Sequence, residues 1–186
     1  MIFLIGVHWR ITKMIPFPNK KYQIIYADPP WPIRWIGGIN LKIKPLEYST
    51  LPVIEIGLLP VKDICDDHSR LFLWTTNAFL PEALGIVRLW GFCYDKLWTW
   101  CKLSCIGGHP RNATEHLIEA TRGSLKKSLS PNDKATNNWF IAKRGRHSQK
   151  PDNIKKFIEK CYPNMDKIEL FARQKTEGWD VWGNEV

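Results

Sequence analysis

Short apolar runs separated by proline- and glycine-rich breaks set the rhythm of the chain. Tyr22-Gln23-Ile24-Ile25-Tyr26-Ala27 reads as a buried strand, stopped by Asp28-Pro29-Pro30, because neither proline offers an N–H to a sheet ladder. Residues 31–50, with Gly37-Gly38 and two further prolines, predict a long loop. Arg70–Trp74 predicts a second buried strand, after which Thr76 or Asn77 can cap a helix running to about Trp90. Lys96–Trp100 and His116–Ala120 are further strand candidates. The polar stretch 121–138, with its Gly, Ser, Pro and Asn, predicts a mobile loop. Pro151 falls where a first-turn helical proline belongs, and Ile154, Phe157, Ile158 and Cys161 follow at helical spacing as far as Pro163. Lys167–Phe171 is the final strong strand. Strands alternating with helices predict an α/β fold with a mainly parallel sheet. The sequence has no internal repeat, no GxGxxG signature and no Walker loop.

The 186 residues fit one domain, and 44% hydrophobic with 24% charged residues is the composition of a folded globule. No apolar run approaches the roughly 18 residues needed to cross a bilayer. Met1–Trp9 is apolar but lacks a basic leader and a small-residue cleavage site, so a secretory signal is not expected. It reads as a first strand or as an N-terminal extension within residues 1–21. Five cysteines, odd in number and irregularly spaced, predict reduced thiols in a cytoplasmic compartment. Cys101, Cys105, His109 and His116 lack the paired spacing of a zinc site, so no metal is expected.

The net charge of +9 changes the picture through its location. Residues 120–176 hold 14 of the 27 Lys and Arg against 5 of the 18 Asp and Glu. A clustered basic surface suits a polyanion, since each neutralised phosphate releases counterions, although a merely solvated lysine-rich face gives the same count. Arg122, Lys126, Lys127, Lys143, Arg144 and Arg146 flank the expected mobile loop and are the candidate phosphate contacts. The ten tryptophans add candidate base-stacking faces.

Open α/β sheets bind ligands beyond the carboxyl ends of their strands, and Asp28-Pro29-Pro30-Trp31 occupies such an end. A carboxylate beside rigidly presented carbonyls can accept both hydrogens of an exocyclic amine. Trp31 offers a face on which a base can stack, and the two prolines stiffen the turn before substrate arrives. The plain alternative is that Asp-Pro-Pro simply ends a strand.

From Tyr22 to the C-terminus the chain resembles the adenine N6-methyltransferases of the Asp-Pro-Pro-Trp type, a family spanning eukaryotic mRNA enzymes and small phage and bacterial DNA enzymes. The resemblance rests on blocks in the family's order. The first are Ala27-Asp28-Pro29-Pro30-Trp31, Tyr48-Ser49-Thr50, Leu71-Phe72-Leu73-Trp74, Trp90-Gly91-Phe92 and Trp100-Cys101-Lys102. Then come His147-Ser148-Gln149-Lys150-Pro151, Ile168-Glu169-Leu170-Phe171-Ala172-Arg173 and Gly178-Trp179-Asp180-Val181-Trp182-Gly183-Asn184-Glu185. It implies a Rossmann-like methyltransferase fold with helices on both faces of the sheet and a permuted motif order. It also implies S-adenosyl-L-methionine as donor, S-adenosyl-L-homocysteine as product and the amino group of adenine as acceptor. Only 27 residues precede Asp28, too few for a strand–helix–strand cofactor unit, which agrees with a permuted order.

By the same resemblance Asp28 and the carbonyls of Pro29 and Pro30 would engage the target amine, with Asp28 also near the donor's amino group. Trp31 and Tyr48 would shape the base pocket, while the basic excess, apart from the resemblance, offers Lys126, Lys127, Arg144 and Arg146 to the nucleic-acid backbone. Lys150 would pair with the donor's carboxylate, while Glu169, Arg173, Asn184 and Glu185 would complete the cofactor site. The plain alternatives are a solvated Lys150, an Arg173–Glu169 ion pair and an Asn184 that caps a turn. Glu185 stands where the mRNA enzymes place Gln, and Gln174-Lys175-Thr176 replaces their polar ribose contacts. The C-terminus therefore resembles the DNA enzymes better, and DNA is the expected substrate, RNA the alternative. A catalytically inactive partner subunit would lack Asp-Pro-Pro-Trp and the donor contacts, and a cytosine amino-methyltransferase would carry Ser-Pro-Pro; this chain keeps Asp28, Lys150, Arg173 and Asn184.

Overall fold

Along β1 (Tyr22–Ala27) Ile24 and Tyr26 face one side while Ile25 and Ala27 face the other, and all four are buried. A strand apolar on both faces needs a layer on each, and the structure supplies them. It is a computed structural model that describes residues 15–32, 50–103, 112–128, 136–143 and 150–186. After β1 come α1 (Val53–Leu58), β2 (Cys65–Thr76), α2 (Leu80–Leu89), β3 (Cys93–Lys102) and β4 (Thr114–Arg122). They are followed by β5 (Trp139–Ala142), α3 (Asp152–Cys161), β6 (Lys167–Leu170) and β7 (Asp180–Trp182). The described strands form one sheet in the order β5-β3-β4-β2-β1-β6-β7. Every pairing is parallel except those of β4, which runs against both β2 and β3.

One reversed strand positions the site. The carboxyl ends of six strands share an edge with the amino end of β4, so Asp28, Thr76 and Lys102 meet Glu115 there. On one face Ile25, Leu71, Leu73, Ile118 and Ile168 pack against Ile56 of α1 and Ala83, Ile86 and Val87 of α2. On the other, Tyr26, Phe72, Trp74, Trp98 and Leu117 pack against Ile154, Ile158 and Cys161 of α3. The α/β architecture, the mainly parallel sheet and the helices on both faces therefore stand as the sequence predicts.

Several boundaries differ. Asn77 caps nothing: Asn77–Phe79 is a 3-10 turn, α2 starts at Leu80 without a side-chain cap, and the Asn77 amide donates instead to Thr114 (3.2 Å to its carbonyl). Pro151 precedes the helix rather than entering it. Phe171 leaves the strand at φ 62°, β4 runs on through Thr121 and Arg122 into the expected mobile stretch, and β5 begins directly after it. Helix α1 and strands β5 and β7 were not expected, because six, four and three residues are too short for periodicity to reveal. Gly91 ends α2 with φ 82°, a left-handed turn that a Cβ would strain. The proposed first strand at Met1–Trp9 lies outside the described residues. Ile15–Lys20 crosses the β7 side, where Phe17 stacks on Trp182 (centroids 4.5 Å apart) and the Trp182 indole donates to the Ile15 carbonyl (2.9 Å).

Candidate active site

The turn after β1 is held from three directions. The Pro29 carbonyl accepts the Trp31 N–H (2.9 Å), closing a three-residue turn, and the Pro30 carbonyl accepts the Leu51 N–H (3.0 Å). Trp31 is 4% exposed; its indole donates to the Trp74 carbonyl (3.0 Å) and its ring stacks on Phe79 (5.5 Å). Trp31 thus pegs the turn to β2 in place of the open stacking face that the sequence suggested. Each proline carbonyl keeps one lone pair for a further donor.

Directly above this turn four charges meet. Lys150 Nζ lies 2.8 Å from Asp28 Oδ2 and 3.5 Å from Glu115 Oε2, while Lys102 Nζ lies 2.5 Å from Glu115 Oε1. The Lys150 ammonium also sits over the Trp74 ring at 5.5 Å. Burial pushes the Asp28 carboxyl above the usual carboxylate range, and the attraction of Lys150 offsets this only in part. For Lys150 burial pulls downward, but Asp28 and Glu115 outweigh it and hold the ammonium charged beyond its ordinary range. Burial would raise Glu115 too, yet with a cation on each side its carboxyl is drawn below the usual range. Of the two carboxylates sharing Lys150, Asp28 is therefore the one left under-neutralised and drawn to a further hydrogen-bond donor. The Thr76 hydroxyl, at the same edge, is buried without a hydrogen-bond partner.

A second tier lies beneath. The Trp74 indole donates to the Tyr26 hydroxyl (2.6 Å), and Lys155 from α3 lies 2.5 Å from Glu169 and over the Tyr26 and Trp179 rings. Burial pushes Glu169 up, with Lys155 opposing. On the β6–β7 side Phe171 takes a left-handed backbone, which a bulky residue adopts only when its surroundings impose it. A Cβ on Gly183 would fall 2.3 Å from the Ala172 carbonyl, so only glycine lets β7 pass there and deliver Asn184 to the edge. Arg173 Nε pairs with Glu185 (3.4 Å), and both side chains are substantially exposed.

Asp28, Lys150, Glu169, Arg173, Asn184 and Glu185 therefore gather on the carboxyl edge of β1, β6 and β7. Lys150 is neither solvated nor free, and Arg173 pairs with Glu185 and not with Glu169. Lys127 does not join them. It lies 2.6 Å from the fully buried Glu119, four residues along β4 from Glu115 and hence roughly 13 Å away. Lys126 beside it is exposed. Tyr48, Arg144, Arg146, Cys105 and His109 lie outside the described residues. The residues missed from sequence are Glu115, Lys102, Lys155 and Tyr26. A signal for the first existed: Glu115 and Glu119 fall on the same face of a strand as the apolar Leu117, where a carboxylate requires a partner.

On the opposite face of the same edge, the Asn77 amide nitrogen donates to Thr114, which turns its oxygen toward His116 Nε2 (2.8 Å). His116 Nε2 must then carry the proton, and Nδ1 accepts from the Thr99 hydroxyl (3.2 Å). Burial holds this imidazole below its ordinary range, in the neutral form.

No described helix is long and apolar enough to cross a membrane. Residues 22–185 match the family model described as MT-A70. The chain is 33% identical to the type II methyltransferase M.MunI of a Mycoplasma species, over 91% of this chain and 79% of that protein. It is 28% identical to the N6-methyladenosine RNA methyltransferase MTA1 of Cryphonectria parasitica, over 89% of this chain and 52% of that protein. It is also 28% identical to the human N(6)-adenosine-methyltransferase catalytic subunit METTL3, over 89% of this chain and 28% of that protein. The chain thus spans most of the Mycoplasma relative but about a quarter to a half of these eukaryotic ones.

Proposed function

The chain belongs to the MT-A70 family, and from that premise we propose that it is an adenine N6-methyltransferase that takes its methyl group from S-adenosyl-L-methionine and delivers it to DNA. The observation that carries the reading is the part-buried Asp28–Lys150 ion pair at the carboxyl edge of β1. The amino-acid end of the donor is itself an ammonium beside a carboxylate. Asp28 and Lys150 form the complementary pair, and both are in part accessible, with side chains 24% and 13% exposed. The residues therefore fit the donor: Lys150 for its carboxylate, Asp28 for its ammonium, Asn184 and Arg173 for its ribose side. When bound, the donor supplies an electrophilic methyl on a sulfonium.

The rest is work for this chain's own groups. Adenine's amine is a weak nucleophile because its lone pair is delocalised into the ring. Asp28, under-neutralised, and the remaining lone pair of the Pro29 carbonyl accept the amine hydrogens and localise that pair on nitrogen. Trp31 keeps these acceptors in place by pegging the turn to Trp74 and Phe79. In duplex DNA the base must first leave the stack, at a cost of a few kcal/mol.

DNA is favoured because Glu185 and the short stretch Gln174-Lys175-Thr176 depart from the mRNA enzymes, and because the Mycoplasma relative is a type II methyltransferase. Adenosine in RNA is the second reading, favoured by the names of the fungal and human relatives. The thiols of Cys65, Cys93 and Cys101 suit the reducing cytoplasm in which such a substrate is met. The test is mass analysis of nucleosides from DNA and from RNA incubated with the protein and isotope-labelled donor. Labelled N6-methyladenine from DNA supports the reading; label only in RNA transfers it to the second; label only in cytosine, or in neither polymer, rejects both.

A further inference from the structure

Among the described strands β5 lies at the edge of the sheet away from β7, and its two faces have different fates. Phe140 and Ala142 pack into the α3-side core, the Trp100 indole donates to the Ala142 carbonyl (3.0 Å), and the Asn138 amide donates to the Leu97 carbonyl (2.9 Å). The strand is therefore firmly seated. On its other face Trp139 and Ile141 remain 51% and 56% exposed, since α2 packs over β2, β3 and β4. Proteins normally blunt an edge strand with charge or cover it, so an uncovered indole there calls for a partner.

We propose that β5 is a second nucleic-acid contact, in which Trp139 stacks on a base flanking the target while Lys143 neutralises a neighbouring phosphate; the proposal rests on the reading of the chain as a nucleic-acid methyltransferase. Charge selects the occupant. Lys143 is exposed directly after the strand, so a second copy laid against this edge would set like charge against like, whereas a polyanion meets its complement. The aromatic side chain selects the mode, because every base offers a ring face to an indole.

Position agrees. Trp139 lies in register with Thr99, and Thr99 opposite His116, so the Thr99–His116–Asn77 network forms a part-exposed polar strip from β5 toward the Trp31 turn. From β5 to β1 there are four strand spacings, about 19 Å in all. At about 3.4 Å per nucleotide along a strand, Trp139 meets a base roughly six nucleotides from the target.

The test uses fluorescence anisotropy of labelled single-stranded and duplex oligonucleotides at several salt concentrations, with calorimetry of the donor alongside. Trp139→Ala should weaken nucleic-acid binding about 5- to 100-fold at an unchanged salt slope, because stacking is not ionic. Trp139→Phe should restore most of the affinity and Trp139→Leu should not. Lys143→Ala should flatten the slope by up to about 0.9. Donor affinity should be the same in all four. Equal affinity for wild type and Trp139→Ala would overturn the proposal, as would full rescue by leucine. So would a wild-type dimer that Trp139→Ala dissociates with no change in nucleic-acid affinity. Should Trp139→Ala fold poorly, the Phe and Leu variants decide alone. A wild-type protein that binds donor but no oligonucleotide rejects the underlying function, and this contact with it.

Discussion

Two glutamates four residues apart on β4 anchor two charge clusters on the same face of the sheet, and they have opposite characters. Glu119 is fully buried. It accepts the Trp98 indole (2.9 Å) and meets Lys127 at 2.6 Å and Arg70 at 3.5 Å, while Arg70 is held by Asp95 at 2.5 Å. Arg70 also donates to the Leu125 carbonyl (3.3 Å), and Ser128 N–H donates to the Cys161 carbonyl (2.8 Å). The segment 124–128 is thereby fastened over the cluster, which is closed. Glu115 sits at the strand's first turn of the ladder, where the sheet ends, and its cluster includes an accessible Asp28–Lys150 pair. The same chemistry thus holds a loop down at one end of β4 and, in the function proposed above, receives a zwitterion at the other. The difference is set by whether a further element covers the charges.

The comparison can be broken most sharply at Glu119. Replacing it with Ala takes the carboxylate from Lys127, leaves Arg70 to Asp95 alone, and should cost about 3–5 kcal/mol of stability by urea denaturation, while activity per folded molecule stays near that of the parent. A stability loss below 1 kcal/mol would mean the cluster is not closed. Asp28→Ala should show the converse: a loss of more than a hundredfold in kcat, worth about 3–4 kcal/mol of transition-state stabilisation, with the fold retained as judged by circular dichroism. Near-normal turnover would place the amine acceptor elsewhere.

A pH profile sharpens the same contrast. Asp28 must be ionised to accept the amine hydrogens, and its carboxyl is raised by burial, so it stays protonated to a higher pH than an ordinary carboxylate. The rate should therefore climb with pH through a midpoint above about 4, then level off. A profile already flat at pH 4 would contradict it. The smallest effect is expected at two adjacent lysines. Lys126→Ala, at an exposed cation, should flatten the salt dependence of DNA binding by no more than about 0.9 units. Lys127→Ala, at a cation engaged with Glu119, should leave the slope alone and lower the melting temperature. Equal slopes for both variants and the parent would show that neither lysine meets phosphate.

The lysine pair also shows how far the residues speak for themselves. Residues 120–176 carry the basic excess in linear sequence, yet Lys127, Lys150 and Lys155 are each bound to a carboxylate, and Lys167 is buried with its ammonium donating to the carbonyls of Pro163 and Met165. A count along the chain sees none of these partners, whether they lie 122 residues off, as Asp28 does from Lys150, or 8, as Glu119 does from Lys127. Trp31 teaches the same point in reverse: an aromatic after a stiff turn predicts an open face, but the neighbouring Trp74 carbonyl and Phe79 ring capture it.

Alternating apolar positions, proline stops and the Asp-Pro-Pro-Trp turn were enough to settle the α/β class, the main strands and the place of Asp28 at the end of β1. These are local matters, decided by backbone geometry and by which side chains tolerate burial on two faces. Glu115 and Lys102 as charge partners, the closed Glu119 cluster and the exposed Trp139 edge were decided only by the sheet order. The reversal of β4 brings Glu115 beside a strand end 87 residues earlier, and a Coulomb interaction depends on distance through space, to which separation along the chain is no guide.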